Sequence, residues 1–142
     1  MDVHTKFKEY AVQLLRMAGL RVTVNRADIL KCLVEAGRPL SHSEIQEKLP
    51  ALDRVTLYRT LACFVSKEVA HQVQGPDGVW RFCAHEPVSE GCPGNHPHFL
   101  CFSCGKMFCL TDHRLPRVEV PEGFVVDGKQ FVVYGKCAQC AE

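Results

Sequence analysis

Two pairs of cysteines dominate the chemistry open to this chain. Cys101-Phe102-Ser103-Cys104 and Cys137-Ala138-Gln139-Cys140 are separated by thirty-two residues. A C-x-x-C turn presents two thiolates to one ion. Two such turns brought together form a tetrahedral four-thiolate cage, the ligand set of a closed structural zinc site. A redox dithiol or unrelated core thiols are the alternatives, and the doubled spacing favours zinc over both.

A second group of soft ligands crowds the stretch before and around the first pair: Cys83, His85, Cys92, His96, His98 and Cys109. His96 and His98 are two residues apart, so on an extended segment their imidazoles point to one side. With a thiolate from Cys83 they can close a second tetrahedral site. Cys109, His85 and Cys92 are candidates for the remaining position or for a further ion. Thiolates and imidazoles with few carboxylates prefer zinc to iron or manganese. Cys32 and Cys63 fall within apolar helical patterns and read as small core thiols. His42 reads as a surface residue near a helix start.

The elements that must position these ligands divide the chain in two. Its 142 residues suffice for one ordinary domain or two small ones. The formal charge of +1 is uneven: residues 1–84 hold 12 Lys/Arg against 9 Asp/Glu, and residues 85–142 hold 5 against 7. This shift, with the Pro, Ser and Gly of 85–95, predicts modules at 1–84 and 96–142 joined by a hinge and metal-binding loop at 85–95. No apolar run approaches the length that spans a bilayer, and the first ten residues are charged without a signal-like apolar core, which points to the cytoplasm and no membrane partner. In that reducing compartment, nine cysteines read as ligands and buried thiols rather than a disulfide framework.

Within the first module, Val3, Phe7, Tyr10, Ala11, Leu14, Leu15 and Ala18 recur at helical spacing before Gly19. Thr23 caps a second helix that ends at Gly37. Ser41 and Glu44 have capping-box spacing for a third, broken at Pro50. Asp53 caps a fourth, with Val55, Leu57, Leu61, Phe64 and Val65 as its apolar stripe. The period then switches to two on either side of the turn Gly75-Pro76-Asp77-Gly78. Helices followed by a hairpin are the order of a winged helix-turn-helix, with the fourth helix as the recognition helix. Its polar residues are Arg54, Thr56, Tyr58, Arg59 and Thr60; Arg54 and Tyr58 share a face. Arginine bonds guanine edges or phosphate, and tyrosine contacts a thymine methyl or a phosphate. A solvated helix face is the competing reading. In the second module, Phe124-Val125-Val126, the turn Asp127-Gly128 and Phe131 to Tyr134 read as strand–turn–strand. Leu115 to Pro121 is too short and proline-bounded for a long helix. The fold class expected is α+β, a winged helix followed by a small, mostly β domain that needs a metal and a partner subunit for stability.

This order of parts resembles the ferric-uptake-regulator (Fur) family of metal-sensing repressors. The likeness is carried by Gly19-Leu20-Arg21-Val22-Thr23-Val24-Asn25-Arg26, by Val55-Thr56-Leu57-Tyr58-Arg59-Thr60-Leu61, by His96-Pro97-His98-Phe99-Leu100-Cys101-Phe102-Ser103-Cys104-Gly105-Lys106, and by Gly135-Lys136-Cys137-Ala138-Gln139-Cys140. The resemblance implies a homodimer whose second module is the dimerisation domain. It places Tyr58 and Arg59 on the DNA-reading helix, and Arg21 and Arg26 near the DNA backbone or minor groove. It also puts His71 at a position used as a ligand in some zinc-sensing members, and Cys109 where relatives often carry a carboxylate ligand. Val24 and Pro97 depart from the family pattern, which commonly has proline at the first position and, in many iron-type members, an acidic residue at the second.

The expectation is therefore a zinc-responsive transcriptional repressor, closest to the zinc-sensing branch, that binds operator DNA as a homodimer with a structural zinc and a second, regulatory ion. An iron or peroxide sensor of the same family is the alternative, and so is a zinc-ribbon module that does not bind DNA. An enzyme is not expected: no H-E-x-x-H or comparable catalytic metal motif is present.

Overall fold

The computed structural model describes residues 3–84 and 96–142. Its helices begin and end where short-range chemistry dictates. Helix α1, Val3–Met17, lays Ala11 and Leu15 into the core. Helix α2, Val24–Ala36, starts at Thr23, whose hydroxyl accepts the Arg26 amide at 3.2 Å. It stops at Gly37, whose φ of 62° is the left-handed conformation that glycine adopts without Cβ strain. Strand β1, Leu40–Ser41, leads into helix α3, His42–Lys48, where Ser41 and Glu44 complete a reciprocal capping box. Helix α4, Arg54–Ser66, is capped by the Asp53 carboxylate, which accepts the Thr56 amide at 3.1 Å. Leu57, Leu61 and Phe64 are buried on α4, as its periodicity predicts. Val55 is not: it is 53% exposed, and Thr60 takes the core-facing place, its hydroxyl donating to the Thr56 carbonyl at 2.7 Å.

The wing is built from strands β2, His71–Gln74, and β3, Trp80–Cys83, paired antiparallel. β1 adds to the far side of β3, so β3 is the central strand of a three-stranded sheet. Its simple alternation fails, because Arg81, Phe82 and Cys83 are all buried. Phe82 joins the helical core, while residues from 96–142 contact Arg81 on the other side.

That second part holds strands β4, His98–Cys101, β5, Met107–Cys109, and β6, Val132–Gly135. All its regular structure is strand, in the order β5-β4-β6, with β4 and β6 parallel. The predicted strand over Phe124 to Val126 does not form. β6 finds its partner in β4 instead, and Phe124, Val125 and Val126 stand exposed at 67%, 85% and 56%. No described helix is long and apolar enough to cross a membrane.

The wing and the second sheet meet in a small core of Val73, Leu100 and Met107, against which Val132 packs. Two polar contacts flank it. Arg81 donates from Nη1 and Nη2 to the two oxygens of Asp77 at 3.1 and 2.9 Å, and from Nη2 to the Gly105 carbonyl at 3.2 Å. The Gln130 side chain closes an amide pair with the Gln74 backbone, accepting from its nitrogen at 3.2 Å and donating to its oxygen at 2.9 Å. Gly75 allows the first contact: a Cβ there would lie 2.7 Å from Arg81 Nη1 and 2.6 Å from Asp77 Oδ1.

Candidate metal centres and nucleic-acid interface

Cys101, Cys104, Cys137 and Cys140 converge, their sulfurs all within 4.8 Å of one another. Parallel pairing of β4 with β6 brings Cys101 opposite Gly135 and so delivers the second C-x-x-C to the first. Cys101 is buried and Cys104 exposed. The Cys101 sulfur accepts backbone N–H bonds from Cys104 at 3.4 Å and Cys137 at 3.3 Å. Those two amides, Cys104 first, lower its pKa to about 6. Cys140 moves the other way, pushed up to about 12, first by sharing its S–H with Cys137 and then with Cys101. Four thiols packed this tightly cannot all ionise unless a cation joins them, so the donor set fits a tetrahedral zinc.

A second group draws on both parts of the chain. Cys83, His98 and Cys109 place one ligand atom each within 4.8 Å of the others. Cys83 ends β3, and His98 lies directly opposite Cys109 in the β4–β5 register. Cys83 and His98 are fully buried. Cys109 is half-buried, and two sulfurs with one imidazole fit zinc better than iron or manganese. No carboxylate belongs to either cluster among the described residues.

The remaining ligand candidates fall elsewhere. His96 lies outside the three-residue group, although its ring centroid is 4.7 Å from that of His98. His96 is buried, its Nδ1 bonds the Pro97 carbonyl at 3.0 Å, and its Nε2 has no hydrogen-bond partner among the described residues. His71 is half-buried and pairs with Cys83 across β2 and β3 without joining the group. His85 and Cys92, with the hinge expected at 85–95, lie outside the described residues. Cys32 is buried in the helical core, and burial raises its thiol pKa, as suits a core thiol.

On α4 the polar residues other than the buried Thr60 reach the surface. Arg54, Tyr58 and Arg59 are exposed, Tyr58 at 44%, and Thr56 is half-buried, its hydroxyl bonded to Asp53 at 3.1 Å. The Arg54 guanidinium carbon lies over the Tyr58 ring, 5.9 Å from its centroid. Arg21 is exposed at the entrance to α2, and Arg26 reaches back to its carbonyl at 2.8 Å. Two residues carry structure that the sequence did not signal: Arg81 as the polar contact between wing and second sheet, and His42, which stacks on Tyr58.

The model of the ferric uptake regulator family matches residues 17–124. The peroxide-responsive repressor PerR of Staphylococcus epidermidis is 26% identical over 145 residues, covering 94% of this chain and 90% of that protein. The ferric uptake regulator of Vibrio cholerae superposes with a TM-score of 0.62 at 22% identity, over 88% of this chain and 98% of that one. A zinc uptake regulator solved in complex with zinc and DNA superposes with a TM-score of 0.67 at 16% identity, over 99% of this chain and 97% of that one. At these identities the two superpositions establish a shared fold.

Proposed function

The chain belongs to the ferric uptake regulator family, and from that premise we propose that it is a zinc-responsive repressor that binds operator DNA as a homodimer. The observation that carries the metal assignment is the Cys83, His98 and Cys109 group, two thiolates and an imidazole with no carboxylate among the described residues. Zinc held there would cross-link the last residue of the wing to two strands of the second sheet. A ligand that favours one orientation of the DNA-binding helices over others shifts the population toward that orientation. In a dimer, that orientation sets the spacing of two recognition helices on two half-sites. The four-cysteine cluster is the structural site in this scheme. It shapes the sheet, and the regulatory ion comes and goes at the other group. His96 is the candidate fourth ligand, since its Nε2, without a hydrogen-bond partner among the described residues, lies on a ring beside His98. On α4, Arg54, Thr56, Tyr58 and Arg59 would face the major groove, with Arg21 and Arg26 near the DNA backbone or minor groove. The similar zinc uptake regulator bound to zinc and DNA supports this assignment by fold.

The similarity to a peroxide-responsive repressor keeps a second reading in view, an iron-loaded peroxide sensor. The two separate in one experiment: titrate operator binding with zinc and with ferrous iron, in the parent and in Cys83→Ser/Cys109→Ser. Zinc dependence in the parent, lost in the double variant while one tightly held zinc remains, is the expected result. A stronger response to iron than to zinc, or release from DNA by peroxide, would establish the second reading instead.

A further inference from the structure

His42 belongs to neither ligand cluster, and its surroundings give it a different role. Its imidazole lies flat on the Tyr58 phenol, 3.9 Å between ring centroids and 8° between planes. Its other neighbour is Phe82 of β3, which meets it edge-on at 4.9 Å and 75°. Phe82 is itself held in the helical core and pairs with Leu40 across β1 and β3, two residues before His42. The imidazole is thus wedged between the wing and the recognition helix. Tyr58 is the aromatic residue of the exposed α4 face, and an exposed tyrosine on a helix is otherwise free to exchange rotamers.

We propose that His42 is a positioning residue for DNA recognition: by stacking on Tyr58 it holds the phenol in one rotamer, so that the hydroxyl meets DNA already oriented. This rests on α4 being the DNA-reading helix. Parallel stacking suits an uncharged ring, and burial, with the Arg54 charge adding to it, holds the His42 pKa below the usual imidazole range. At neutral pH His42 is therefore an aromatic plate and not a phosphate-binding cation. Fixing the ring before binding removes a rotamer entropy cost that DNA contact would otherwise have to offset.

The test uses the full-length, zinc-loaded protein and the duplex that the parent selects from a random-sequence pool. His42→Ala should weaken binding about two- to twelvefold, the range for one aromatic pair. His42→Phe, which keeps a ring, should restore binding, and His42→Leu, which fills the space without one, should not. In a Tyr58→Ala background, His42→Ala should add nothing. With the three tyrosines labelled as 3-fluorotyrosine, the Tyr58 fluorine resonance should move in His42→Ala and return in His42→Phe. Zinc content and thermal midpoint, measured alongside, exclude a folding defect. Equal binding by parent and both ringless variants would overturn the proposal. So would a His42→Phe protein as weak as His42→Ala, which would make a ring nitrogen the contact, or full additivity with Tyr58→Ala. A parent that selects no duplex would instead remove the DNA-binding reading itself, and the role of His42 with it.

Discussion

Replacing Arg81 by methionine removes five N–H donors and keeps most of the aliphatic volume. In the parent the guanidinium makes two kinds of contact. Its pair with Asp77 is internal to the hairpin, and the carboxylate is 29% exposed, so after the change Asp77 rehydrates rather than remaining as a buried lone charge. That loss falls on the wing alone and is discounted for solvent screening. The bond from Nη2 to the Gly105 carbonyl is different, because it joins the wing to the loop that carries Cys104. A hydrogen bond from a charged donor contributes about 1.5–3 kcal/mol. With about 1.4 kcal/mol per factor of ten, docking of the wing on the second sheet should weaken about ten- to a hundredfold.

In the proposed mechanism the docked arrangement is the one that zinc selects. The zinc concentration for half-maximal operator binding should then rise by up to the same factor, since the ion must now supply what Arg81 supplied. The assay is a zinc-buffered titration of operator binding by fluorescence anisotropy, with amide exchange at Gly105 and Met107 as a report on docking. Unchanged zinc dependence together with unchanged exchange would refute the reasoning. Loss of the tightly held zinc would show that Arg81 supports the four-cysteine loop rather than docking.

Three further outcomes are expected. Cys137→Ser should release the structural zinc and unfold the second sheet, because metal affinity there is folding free energy; an intact fold with full zinc content by atomic absorption would contradict this. Arg59→Ala should reduce operator affinity by roughly 1–3 kcal/mol if it bonds a base in bidentate fashion, and Tyr58→Phe should act more weakly, both read by gel shift against a scrambled duplex. The third concerns pH. The hydrogen bonds donated by Arg81, above all, hold the Asp77 pKa below the ordinary carboxylate range. A depressed acid stabilises the fold at every pH above its unfolded value and ceases to do so as pH falls through the folded one. The Asp77 contribution should therefore be intact at neutral pH and be lost only below the usual carboxylate range. Comparing acid unfolding of parent and Asp77→Asn should show the difference between them closing there.

What could be read from the sequence was local. Thr23, Ser41 with Glu44, and Asp53 cap helices through bonds spanning three residues, so their spacing sufficed. The two C-x-x-C turns were legible for the same reason, and the four sulfurs do converge. The second ligand group was only half legible. Cys109 enters it because β5 pairs with β4, a register that no local pattern states. His96, two residues from His98, satisfies the spacing rule, precedes β4 and lies outside the three-residue group. Val55 and the segment 124–126 were assigned from apolarity alone, and both face solvent. Arg81 was invisible because a buried arginine in a wing strand makes sense only once a second sheet lies over it.

The placement of β3 explains how a signal at the metal group would reach DNA. Three consecutive side chains of this central strand go to three different tasks: Arg81 to the Gly105 carbonyl, Phe82 to the edge of His42, and Cys83 to His98 and Cys109. Coupling between distant sites requires an element whose arrangement both sites bias. In the proposed mechanism, a metal ligated by Cys83 would pull on the end of β3. Because β3 is paired on both sides, it cannot yield by one residue without breaking ladder bonds to β1 and β2. It would then move as a unit, carrying Phe82 and the His42–Tyr58 stack with it. Such coupling is reciprocal by thermodynamic linkage. DNA that holds Tyr58 in its stacked rotamer must favour the β3 position that closes the metal group, so operator DNA should raise zinc affinity by the factor by which zinc raises operator affinity.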